Sequence, residues 1–135
     1  MDAMLVKVAV AGVLGAHGVG HALGWMPALG LARFEGVSSG SWLLSGAAGE
    51  GAARVMAIGL FAVPTAGFIV AAIGLLLGQP WWRPVAAASA ATSLAASALY
   101  PQALPLSSTI GSVVVNVVVL AAILVAGWGA DGAAV

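Results

Sequence analysis

The two histidines of the chain, His17 and His21, lie four residues apart within a long apolar run. Residues at positions i and i+4 share one face of an α-helix, so both imidazoles are predicted to point the same way. Imidazole exchanges protons near neutral pH and also binds transition metals. Polar groups at membrane depth are costly and commonly mark a function or a helix contact. The histidine pair is therefore the first candidate for a site.

The composition restricts the class of protein that can contain this pair. Of the 135 residues, 62% are hydrophobic and only 6% are charged. A soluble domain is roughly a quarter charged, so an integral membrane protein is expected. The formal net charge is zero and no basic patch is present, which excludes nucleic-acid binding. The lack of cysteine excludes disulfides and thiolate-bound metal or iron–sulfur centres.

Long, continuous apolar runs predict transmembrane helices rather than the alternating strands of a membrane β-barrel. We predict an all-α integral membrane four-helix bundle, formed by a single transmembrane domain over residues 1–135. The predicted spans cover residues 4–25, 52–77, 84–100 and 108–128. The third span is rich in Ala, Ser and Thr, and its small side chains predict close packing at the centre of the bundle.

Residues 26–51 form the one substantial loop, which carries Arg33, Glu35 and Glu50 among scattered apolar side chains. We interpret this segment as a solvated connector anchored in the membrane interface. A short interfacial helix, or a lid over the mouth of the bundle, is the alternative.

The charges bear only weakly on the orientation of the bundle. Lys7 and Arg83 fall on the side of the termini, and Arg33 and Arg54 fall on the opposite side, so the basic residues are equally divided. The two glutamates of the long loop lie on the side opposite the termini. They favour termini in the cytoplasm.

Counting along antiparallel helices brings the polar side chains together in one half of the membrane. Measured from the side of the first and third loops, His21 is predicted to be roughly 6 Å deep, and His17 and Asn116 roughly 10–12 Å deep. The other candidate binding residues at this end are Ser93, Ser97, Tyr100, Arg54 and Glu50. This clustering predicts a polar pocket that opens to one membrane face, with Tyr100 at its rim.

A stripe of small residues accompanies the histidines on the first span. Gly12, Ala16, Gly20 and Gly24 recur every four residues, which permits close contact with a neighbouring helix. The histidines are then expected beside this contact, where Asn116 can donate to or accept from them.

Several functions are compatible with such a pocket. It can bind a small lipophilic ligand or a partner protein. Alternatively, the polar groups only form hydrogen bonds between helices, and the protein is a subunit or scaffold of a homo-oligomer or larger membrane complex. A transport function would require an oligomer. As a third alternative, His17, His21 and Tyr100 carry out acid–base chemistry on a lipophilic substrate. A nucleophilic triad is not supported, because no carboxylate is evident beside the histidines.

A metal or haem cofactor is the remaining alternative. Two imidazoles at i and i+4, His17 and His21, can chelate zinc or copper. The further ligands are not evident, since Glu50 and Met56 are the nearest candidates. Histidines on one face cannot bind a haem iron from both sides, so haem would need a five-coordinate iron or Met56 as its partner.

Residues 16–25, AHGVGHALGW, resemble the opening of a group of small bacterial four-transmembrane-helix proteins with an AHGxxH motif in the first helix. The aromatic pair Trp81-Trp82 before the third span and the pattern from Gly111 to Asn116 in the fourth also fit this group. The resemblance implies a four-helix protein of the bacterial inner membrane. It marks both histidines and Asn116 as positions of interest, and it implies no particular reaction.

Overall fold

The computed structural model describes residues 2–128, and within this range the chain is all helical and contains no β-strand. The helices are α1 (Ala3–Gly20), α2 (Ala22–Ala28), α3 (Leu44–Ala48), α4 (Glu50–Leu76), α5 (Trp82–Leu99) and α6 (Leu106–Leu120), and α6 continues as a π-helical turn over Ala121–Val125. The predicted all-α class is confirmed for these residues. The part of the predicted domain at residues 129–135 lies outside the described residues.

Within residues 2–128, three helical segments are long and apolar enough to cross a membrane, namely Ala3–Ala28, Glu50–Leu76 and Leu106–Val125. Their outer faces carry large exposed apolar side chains, such as Val63 at 57% and Val118 at 60% exposure. Apolar surface of this extent would be covered by lipid in a membrane protein. The fold is therefore consistent with membrane integration. The 18-residue α5 is not among the three segments; it contains the charged Arg83 and several Ser and Thr residues, which lower its mean hydropathy.

The first helical segment extends further than the predicted span of residues 4–25. It continues as α2 to Ala28, and only His21, which closes α1 and opens α2, interrupts the regular helix. At this junction the His21 N–H donates to the Gly18 carbonyl at 3.1 Å. Because the helix continues beyond His21 to Ala28, His21 lies about 10 Å along the helix from that end, farther than the roughly 6 Å that the sequence predicted.

The predicted loop at residues 26–51 contains the short helix α3, and α4 already begins at Glu50. Residues before α3 bind the end of α5: the Ser41 hydroxyl donates to the Leu99 carbonyl at 2.7 Å, and the Trp42 indole donates to the Ala98 carbonyl at 2.8 Å. The last carbonyls of a helix have no partner within the helix itself. This part of the loop is therefore a cap on α5.

The helices are arranged around α4, which packs against α1, α2, α3 and α5, while α5 also packs against α6. The small residues of the third predicted span do permit a close approach, since Ser89 of α5 lies directly against Gly67 of α4. The central helix is nevertheless α4 rather than α5. The helices α1 and α6 make few contacts with each other. Their positions are set mainly by the packing of α1 on α4 and of α6 on α5.

Buried apolar side chains form two separate clusters. One contains Phe68, Leu75 and Trp82, and the other contains Phe61 and Tyr100. On α5, Ala90 belongs to the first cluster and Ala96 to the second, and the buried Ser93 lies between them. The helical core therefore has a polar layer between two apolar clusters.

Candidate functional site

The polar layer contains five side chains that form one hydrogen-bonded network: His17, His21, Ser93, Ser112 and Asn116. Ser93 and Asn116 have no exposed surface, and His21 is 2% exposed. The structure thus brings together both histidines with the two predicted partners from α5 and α6. Ser112 was not among the predicted binding residues, although its place four residues before Asn116 puts both side chains on one face of α6.

The partners of His21 fix the direction of these hydrogen bonds. Its Nδ1 lies 2.8 Å from the carbonyl oxygen of His17, which can only accept, so Nδ1 carries the proton. In a neutral ring Nε2 then accepts, and its partner at 2.5 Å is the Ser93 hydroxyl. The Ser93 oxygen in turn accepts from Nδ2 of Asn116 at 2.6 Å.

Asn116 completes a closed ring of hydrogen bonds. Its Oδ1 lies 3.0 Å from Nε2 of His17, so Nε2 of His17 is the donor. A neutral His17 that donates from Nε2 has an unprotonated Nδ1, which can only accept. Among the hydrogen bonds formed by residues 2–128, none involves this Nδ1. The ring therefore leaves one basic nitrogen without a protein partner in the described part of the chain.

A cavity of about 250 Å³ lies beside this network, between α1 and α6. Its polar wall is formed by His17, His21, Ser108 and Ser112. His17 is half-buried, in contrast to the fully enclosed Asn116, so its ring borders the cavity. We call this space the polar cavity.

A larger cavity of about 530 Å³ lies between the same two helices, towards the start of α1 and the end of α6. Its wall is almost entirely apolar and includes Leu14, Val119, Trp82 and Trp128. Val115 borders both cavities, so the two spaces lie on either side of this residue. We call this space the apolar cavity, and we call the two cavities together the α1–α6 seam.

The other predicted binding residues lie outside both cavities. Tyr100 is buried in an apolar cluster and its hydroxyl donates to the Ala53 carbonyl at 2.6 Å, so it joins α5 to α4 and does not form a rim. The Ser97 hydroxyl is buried and has no hydrogen-bond partner within residues 2–128. Glu50 and Arg54 are exposed at the start of α4. They do not reach the seam, because α4 forms neither of its walls.

The histidine pair does not fit a chelated metal ion in this arrangement. Three of the four ring nitrogens of His17 and His21 are engaged in hydrogen bonds, so a chelate would have to break at least one of them. Nowhere in residues 2–128 do three or more potential ligands from His, Asp or Glu lie together. Ser93 is also unsuited as a nucleophile, because it is completely buried and its oxygen already accepts from Asn116.

Comparisons with known proteins add neither a family nor a structural neighbour. The chain matches no protein-family model, no curated protein and no solved structure. Its function must therefore be inferred from the geometry of the described residues.

Proposed function

We propose that this chain is a small integral membrane protein that binds a small lipophilic ligand in the polar cavity. The observation that supports ligand binding is Nδ1 of His17, a hydrogen-bond acceptor that has no partner within residues 2–128 and belongs to a ring bordering a cavity. Polar atoms at membrane depth are costly unless they are paired. A bound molecule that donates a hydrogen bond would supply the missing partner.

The proposal includes a four-helix bundle in which α5 spans the membrane beside α1, α4 and α6. With 18 residues, α5 is about 27 Å long, close to the roughly 30 Å of a bilayer core. Its hydroxyls at Ser89, Ser93 and Ser97 are buried rather than turned towards lipid. We further propose a bacterial inner-membrane location with cytoplasmic termini, in line with the sequence resemblance and the acidic long loop.

The test is to purify the chain in a mild detergent and identify bound small molecules by native mass spectrometry, followed by extraction and mass analysis. We expect about one lipophilic molecule per chain. The variant His17→Phe keeps an aromatic ring and removes the acceptor nitrogen, so it should lose most of this molecule. Val19→Phe is the matched control, because Val19 lies on α1, is 61% exposed and borders neither cavity.

Two results would contradict the proposal. One is a wild-type chain that carries no lipophilic molecule beyond bulk lipid and binds none when it is offered. The other is equal loading of His17→Phe and wild type. Isolation of a larger complex without a bound small molecule would favour the alternative of a structural subunit.

Acid–base chemistry on the bound molecule is a second function that the same nitrogen favours. Nδ1 of His17 is unprotonated in the ring of hydrogen bonds, so it can accept a proton from a ligand. The hydrogen bond from its Nε2 to Asn116 holds the imidazole in that tautomer. Recovery of the ligand in an altered chemical form from wild type, but not from His17→Phe, would establish this function.

A further inference from the structure

We infer that the ligand is a neutral single-chain lipid with a hydroxyl head, whose hydroxyl donates to Nδ1 of His17 and whose chain occupies the apolar cavity. Isoprenoid alcohols, monoacylglycerols and quinols share this chemistry. The inference rests on the proposed function and adds the class of ligand.

The head group of the proposed lipid is inferred from the hydrogen-bonding groups of the polar cavity. Nδ1 of His17 accepts a hydrogen bond, so ethers, esters and ketones offer it nothing, whereas a hydroxyl does. Among residues 2–128, no Asp, Glu, Lys or Arg lines either cavity. A phospholipid or ammonium head group would therefore bring an uncompensated charge to membrane depth, and a fatty acid would have to bind either in its protonated form or as an ion pair with a protonated His17, both of which are costly there.

The hydrocarbon chain of the proposed lipid is inferred from the apolar cavity. Its volume of about 530 Å³ lies within the roughly 300–1,000 Å³ of typical small-molecule sites. Val115 lines both the polar and the apolar cavity, so a lipid whose head group lies beside His17 would have apolar space next to it for its chain. Because α1 and α6 have few contacts, a lipid can enter between them from the bilayer.

The tryptophans of the apolar cavity provide a direct measurement. Trp82 and Trp128 both line it, and their rings pack edge to face with centroids 5.5 Å apart. The probe is a long-chain alcohol that carries bromine near the end of its alkyl chain. It is titrated into the protein in lipid nanodiscs while tryptophan fluorescence is recorded. We expect saturable quenching that is lost in the double variant Trp82→Phe, Trp128→Phe. Trp42→Phe is the control, because Trp42 is 71% exposed in the loop and borders neither cavity.

The head group is tested with the methyl ether and the carboxylic acid of the same brominated chain. Loss of one hydrogen bond should weaken binding of the ether to wild type roughly 5- to 10-fold. In His17→Phe the alcohol should bind no better than the ether. The comparison of alcohol with ether in wild type needs no variant, so it stands even where a substitution disturbs folding. Competition by unbrominated farnesol, monoolein or a short-chain quinol then distinguishes the three sources of the hydroxyl.

The outcomes separate this inference from the proposed function. Equal binding of alcohol, ether and acid would overturn the hydroxyl assignment and leave lipophilic binding intact. Saturable quenching that survives in the double tryptophan variant would overturn the placement of the chain in the apolar cavity. A lack of saturable quenching by all probes, together with no co-purified lipid, would overturn both proposals.

Discussion

The helix contacts made by α4 and the α1–α6 seam are built in opposite ways. A Cβ atom at Gly24 would lie 2.5 Å from the ring of Phe61, and one at Gly18 would lie 3.0 Å from both Phe68 and the backbone of Thr65. At Gly12 and Gly20 of the same stripe, nothing lies within 4 Å of the corresponding position. The small residues of one helix therefore serve a tight interface at one position and border open space at another.

This difference supports the α1–α6 seam as the location of the proposed ligand. The interfaces of α4 depend on glycines, whose lack of a side chain lets the helices pack closely. These interfaces therefore cannot open without a loss of packing. Across the seam, His17 and Asn116 form a directional hydrogen bond. Such interhelical bonds contribute on average about 0.6 kcal/mol and at most about 2 kcal/mol. The weaker of the two contacts is thus the one that contains the cavities.

The largest expected effect is that of Gly24→Ala. The added methyl group would collide with the fully buried ring of Phe61, which is enclosed by its cluster and cannot easily move. Overpacking of this kind costs about 2–3 kcal/mol. The loss should be measured as a shift in the SDS-induced unfolding transition followed by circular dichroism. Gly20→Ala on the same stripe is the control, and an equal loss in that variant would contradict the difference between the two contacts.

A smaller effect is expected for Asn116→Leu, which breaks the ring of hydrogen bonds. The substitution leaves Nε2 of His17 and the oxygen of Ser93 without their partner, at a cost of about 1–2 kcal/mol in the same unfolding assay. Val117→Leu, at an exposed neighbouring position, should be neutral.

A double-mutant cycle with His17→Phe isolates the bond across the seam. We expect a coupling free energy of about 0.6–1.7 kcal/mol between His17 and Asn116. Additive effects of the two substitutions would show that this bond does not hold α1 to α6.

The smallest effect is expected at two glycines that have free space around them. Replacing Gly12 or Gly111 by alanine should raise helix stability by about 0.5–1 kcal/mol, because neither added Cβ meets a neighbouring atom. Gly111 borders the polar cavity and Gly12 borders neither cavity. Binding of the brominated alcohol should therefore weaken only in Gly111→Ala. Equal binding by both variants would mean that the ligand does not occupy the polar cavity.

The core of the candidate site could be predicted from the sequence because it depends on helical spacing. The i and i+4 positions of His17 and His21 place both side chains on one face, and the counted depth of Asn116 matches that of His17, and the structure joins the three in one network. Tyr100 could not be placed in this way. It follows the end of α5 in a non-helical conformation, so its side-chain direction does not follow from helical periodicity.

The sequence by itself determined the helical class and the apolar surface, because helix formation and hydropathy depend on residues that are near one another in the chain. Only the tertiary structure decided which faces of the helices meet. Gly24 packs on Phe61 whereas Gly20 borders a cavity, although both belong to one regular stripe. That outcome depends on the rotation and separation of helices distant in sequence, which local spacing cannot specify. The open α1–α6 seam is a result of that packing. So is Nδ1 of His17, which has no hydrogen-bond partner within residues 2–128.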